Sequence, residues 1–168
     1  MLKILVPIAG TRNDRFAVQE VVKRFMNNTG MEVHLLNVQT PFSGDVAHFS
    51  SRKSRHDFHR EQAEKALAPA REMLDKFSIP CTAHMEVGNR AKIITDTARR
   101  LRCSEIVMAT ARKNSLTRLV ENSVTDKVLA LTSVPVEIVA GDSMSKWERF
   151  GIPAAIAGGV ALVLALDS

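Results

Sequence analysis

Glu105-Ile106-Val107-Met108-Ala109 decides the fold: after its first residue it is apolar without interruption, and it is only as long as a strand. A strand with one solvated face would alternate apolar with polar residues, so an unbroken run points to a sheet covered on both faces. Outward from it lie four more runs of the same kind, Leu2–Pro7, Met31–Val38, Pro80–Val87 and Val134–Val139. Between them the spacing changes to that of helices. Val18, Val21, Val22 and Phe25 follow i, i+3, i+4, i+7, with Gly30 as the stop. Ala63, Ala66, Leu67, Ala70 and Leu74 form a second stripe. Ala91, Ile94, Ala98 and Leu101 form a third, with Asn89 as its cap. Val120, Val124, Val128 and Leu131 form a fourth, starting near Asn122 or Ser123. Strand and helix in alternation predict an α/β fold with crossovers and a parallel sheet.

Two stretches break the rhythm. From Gln39 to about His59 the sequence has no clear period and reads as a long loop. It holds Arg52, Lys53, Arg55 and Arg60 against Asp57, so much of the net charge of +5 is expected on one loop. Nucleic-acid surfaces usually interleave aromatics with such cations. Only Phe49 and Phe58 lie nearby, so a solvated basic loop is the expectation and nucleic acid is not. The second break comes near Gly141, which divides the chain into a domain over 1–142 and an apolar tail over 143–168. Ile152–Leu166 carries no charge and would span about 22 Å as a helix, short of the roughly 30 Å hydrocarbon core of a bilayer. Two readings of the tail stay open: an anchor to the inner face of a membrane, flanked by Lys146, Trp147, Arg149 and Phe150, or an arm packed on the body or on a partner.

The start, MLKILVPIAG, lacks a basic region and a small-residue cleavage site and reads as a first strand rather than a secretory signal. Cys81 and Cys103 form no C-x-x-C pair. Together these predict a cytoplasmic protein with reduced thiols. No hydrolase elbow and no Walker-type Gly-Lys-Ser/Thr occur, so no catalytic residue is nominated. His48, His56 and His59 lack metal-ligand spacing, and no metal site is expected.

In open parallel sheets ligands bind beyond the carboxyl ends of strands. The loops to inspect are those beginning Pro7-Ile8-Ala9-Gly10-Thr11 and Ala109-Thr110-Ala111-Arg112-Lys113. Val6-Pro7-Ile8-Ala9-Gly10-Thr11 resembles the V-P-V-D-G-S opening of the universal stress protein family. Ile106-Val107-Met108-Ala109-Thr110, followed by Leu116, Arg118-Leu119, Ser123-Val124 and Lys127-Val128, resembles the family's I-V-M-G-T … L-x-R-L … G-S-V-x-x-K-V stretch. Val87-Gly88 and Val134-Pro135-Val136 match its third and last strands, so the likeness runs over roughly residues 1–140. The resemblance implies a Rossmann-like, adenine nucleotide alpha hydrolase-like sheet of order 3-2-1-4-5, flanked by helices. It also implies a homodimer through the edge strand Val134–Val139, where Pro135 is tolerated because an edge needs fewer donors.

ATP-binding members of that family carry G-x2-G-x9-G-[ST], whose glycines let phosphate approach the main chain. The spacing survives here as Ala109, Arg112, Asn122 and Ser123, but none of the three glycines does, and Ala9 stands where those members place an aspartate. An alanine forced to φ > 0 at position 109 costs about 1–2 kcal/mol. A loss of 2 kcal/mol is roughly thirtyfold in affinity. The expected site is therefore a degenerate one. Ala9, Val38, Met108 and Ala109 would face a base and ribose, and Arg112, Asn122, Ser123 and Val124 an anion. Three functions follow as expectations: a non-enzymatic stress-response protein without cofactor, acting through dimerisation and a protein partner; a regulatory switch that binds ATP or another adenine nucleotide weakly; or a membrane-tethered accessory domain.

Overall fold

Strand β1 (Leu2–Pro7) lies in the middle of a five-stranded parallel sheet, and the computed structural model of the chain describes residues 1–42, 51–110 and 124–140. The chain runs from β1 through α1 (Asp14–Asn27), β2 (Met31–Gln39), α2 (Arg52–Lys76) and β3 (Cys81–Val87). It continues through α3 (Arg90–Arg100), β4 (Glu105–Thr110) and α4 (Val124–Leu131) to β5 (Val136–Ala140). The spatial order is β3-β2-β1-β4-β5, as the family resemblance implied. Ile4, Leu5 and Val6 are fully buried, which is why the central runs are apolar on both faces. Ile4, Val6, Val33, Leu35 and Val107 pack under α1 and α2, while Leu5, Leu36, Val38, Ile106 and Met108 pack under α3 and α4.

The long irregular stretch expected from Gln39 to His59 is corrected by the structure: α2 begins at Arg52. The Ser51 hydroxyl accepts from the Ser54 amide at 3.0 Å and caps it. Arg, Lys and Glu are good helix formers, so the basic cluster continues the helix outward instead of interrupting it. The buried stripe also starts one turn earlier than Ala63, at His59, whose ring lies 4.7 Å from that of Phe42. A histidine at the head of an aliphatic stripe hides the period. Gly44, His48 and Phe49 lie outside the described residues, as do Val120 and the tail from 141 to 168. Among the described residues no helix is long and apolar enough to cross a membrane.

Helices α2 and α3 end in the same way. Ser78 (φ 53°) and Arg102 (φ 55°) adopt the left-handed conformation. The next amides, of Ile79 and Cys103, reach back to the carbonyls of Leu74 and Ala98 at 3.0 and 2.8 Å. These are Schellman stops without their usual glycine. Cys81 and Cys103 are free thiols.

The last strand begins at Val136, two residues later than the apolar run suggested. Pro135 has no N–H, but its carbonyl accepts from the Ile106 amide at 2.9 Å. Strand β5 lies at the edge of the sheet. Arg24, in the last turn of α1, pairs with Glu105 of β4 at 2.6 Å and also with Glu137 of β5, tying the edge to its neighbour.

Candidate functional site

The sheet order reverses between β1 and β4: the chain leaves β1 toward one side and β4 toward the other, opening a crevice between their carboxyl ends. A cleft of about 120 Å³ lies there. Ala9, Val38, Met108, Ala109 and Val124, five of the residues nominated from sequence, all line it. Arg112, Asn122 and Ser123 lie outside the described residues, together with Lys113 and Arg118.

The turn after β1 is held from both sides. Buried Asn37 donates its side-chain amide to the Ile8 carbonyl at 2.8 Å, and Gln39 donates to Asn37 at 2.6 Å. The Ile8 amide in turn reaches the Leu36 carbonyl at 2.8 Å. Gly10 then takes φ +81°, and a Cβ there would meet the Ala66 Cβ at 3.2 Å, so the glycine is needed for both conformation and space.

Asp14, not nominated from sequence, also lines the cleft. Its carboxylate accepts from the amides of Ala9 (3.0 Å) and Thr11 (2.8 Å) and from the Thr11 hydroxyl (3.1 Å). Burial pushes its pKa above the ordinary 3.8, and the hydrogen bonds from Thr11, Gly10 and Ala9 pull it partly back. The aspartate absent at position 9 is thus answered by one five residues later, which closes on the same turn. The one signal in the sequence is an acidic residue opening the helix: Asp14 is its first residue, after Asn13 at the N-cap, and it reaches back to Thr11.

Arg90, exposed at the start of α3, also lines the cleft, and nothing in its local sequence singled it out. Asp14 and Arg90 are the titratable side chains among the described lining residues. Among the described residues no group of three His, Cys, Asp or Glu could hold a metal ion.

The family model described as "universal stress protein family" matches residues 1–140. The chain belongs to the universal stress protein family. Solved structures share its fold at low identity. The protein designated MJ0577 superposes with a TM-score of 0.70 at 22% identity, over 85% of this chain and 98% of that one. Universal stress protein UspA from Lactobacillus plantarum gives 0.65 at 19%, over 82% and 97%. A universal stress protein solved in complex with cAMP gives 0.64 at 16%, over 82% and 96%. No curated protein matches the chain in sequence.

Proposed function

We propose that this universal stress protein is a non-enzymatic cytoplasmic factor that acts by forming a homodimer and contacting a protein partner, and that it holds no ATP tightly. The observation that carries this reading is the Asp14 carboxylate seated on the Ala9 and Thr11 amides. The backbone donors that the β1 turn could offer a ligand are engaged by the chain's own side chain, and a phosphate arriving there meets a negative charge. Ala109, Arg112 and Asn122 in place of glycines support the same reading. So does the small volume of the described cleft, about 120 Å³ against the roughly 300–1,000 Å³ of ordinary ligand sites. Mass spectrometry of small molecules released from protein purified without added nucleotide should find no stoichiometric ATP, and a one-to-one yield would overturn the reading.

Dimerisation is supported by the edge strand. Ile138 on β5 is 42% exposed, with Leu129 and Leu131 of α4 at 47% and 55%. A large exposed apolar side chain on an edge strand invites a second copy, and the exposed leucines of α4 add apolar surface. Sedimentation should give a dimer for the wild type and a monomer for Ile138→Asp; a wild-type monomer at all concentrations would remove the dimer from the proposal.

A second reading, a weak adenine-nucleotide switch, is favoured by the convergence of Ala9, Val38, Met108, Ala109 and Val124 on one cleft, and by the cAMP complex of a protein with the same fold. Titration calorimetry with ATP decides between the two. Negligible heat for both wild type and Ser123→Ala favours the first, and a wild-type heat lost in Ser123→Ala favours the second.

A further inference from the structure

A second cavity, of about 340 Å³, opens on the opposite layer of the molecule, between α1, α2 and the turn after β1. Its size falls within the roughly 300–1,000 Å³ range of small-molecule sites. We propose that it binds a free medium-chain aliphatic carboxylate, head group toward Arg12, Arg15 and Lys65, tail along Val18, Ala70 and Met73.

The cavity exists because of three residues on α2. Ala66, Pro69 and Ala70 put short side chains on the face toward α1, where two packed helices would ordinarily fill the gap with Leu or Ile. Gly10 and Ala66 come close in its wall, where a Cβ on Gly10 would meet the Ala66 Cβ at 3.2 Å.

Its lining combines cationic and apolar residues. The cationic ones are Arg12 and Arg15, from the turn and first turn of α1, and Lys65 on α2. Lys65 also pairs with Glu61, and Arg15 lies over the Phe16 ring at 4.6 Å. Among the described lining residues Asp14 is the one acidic group, and its oxygens are turned onto the Ala9 and Thr11 donors. The balance of the lining thus favours an anion.

Val18, Ala70 and Met73 give the cavity an apolar wall, and its described lining contains no aromatic ring on which a base could stack. Pro69 and Met73 also border an open furrow lined by Val22 and half-exposed Phe77 together with Gln19, Lys23, Glu72 and Lys76. An aliphatic tail fits the apolar wall of the cavity, which offers a base no ring to stack on.

Titration calorimetry on the full chain tests this with hexanoate, octanoate and decanoate below micelle-forming concentrations. Decanoate should bind one-to-one, and affinity should rise about fourfold per added methylene, the transfer free energy of one CH2. The Arg12→Gln/Arg15→Gln double variant changes two exposed side chains and should fold normally; it should weaken decanoate at least about tenfold while leaving decanol unchanged. Methionine-methyl NMR locates the ligand: the Met73 signal should shift and that of Met108, in the strand-end cleft, should not. No saturable decanoate binding, equal affinity for decyltrimethylammonium, an unaffected double variant, or a shift at Met108 instead of Met73 would each overturn the proposal.

Discussion

The strand-end cleft and the cavity between α1 and α2 share a wall, since Ile8 and Asp14 line both, yet they differ almost threefold in volume. The cleft depends on backbone donors, and a donor is easily taken: the Asp14 carboxylate occupies the amides of Ala9 and Thr11, while Ala109 stays in the regular ladder of β4 without a positive φ. The other cavity depends on missing side-chain volume, which Ala66, Pro69 and Ala70 provide without any special backbone geometry. Atoms gained at a turn thus narrow one recess, while atoms left off a helix open another.

The shared wall is where this contrast can be broken. The largest effect is expected from Asn37→Leu. It leaves the buried Ile8 carbonyl without its donor and should cost about 3 kcal/mol, read as a lower urea midpoint, with both cavities disturbed. A drop below about 1 kcal/mol would mean the turn is held by other contacts. Gly10→Ala should cost about 1–2 kcal/mol from its positive φ, with a further strain against Ala66, and should narrow the larger cavity more than the cleft.

The smallest effect is pH-dependent and belongs to Asp14. Its folded pKa is raised above 3.8, so the folded chain binds more protons than the unfolded one in the window just above that value. The stabilising contribution is full below 3.8 and is lost as pH rises through the folded value. Asp14→Asn should remove this decline, leaving a difference in slope below the one-proton limit of about 1.4 kcal/mol per pH unit. Urea midpoints of both proteins between acid and neutral pH measure it, and parallel curves would show that the carboxyl is not desolvated.

Much of the fold was legible because burial on both faces writes itself as unbroken apolar runs. β1 was placed at Leu2–Pro7 with no error at either end. The first turns of α2 were not legible, because Arg52 to Arg60 are charged and their one buried member is a histidine. The five cleft residues were found together because strand ends at a switch point must converge. Asp14 was not legible because hydrogen-bond partners five residues apart leave no trace in hydropathy. The α1–α2 cavity was hidden for a plainer reason: alanines at helical spacing look like core whether or not anything fills the space beside them.

Arg24 has one more consequence. By gripping Glu105 and Glu137 together it rivets the outermost strand to the strand inside it and to α1. Trading β5 between two molecules would mean prising that guanidinium from both carboxylates, so the clamp favours each chain keeping its own last strand.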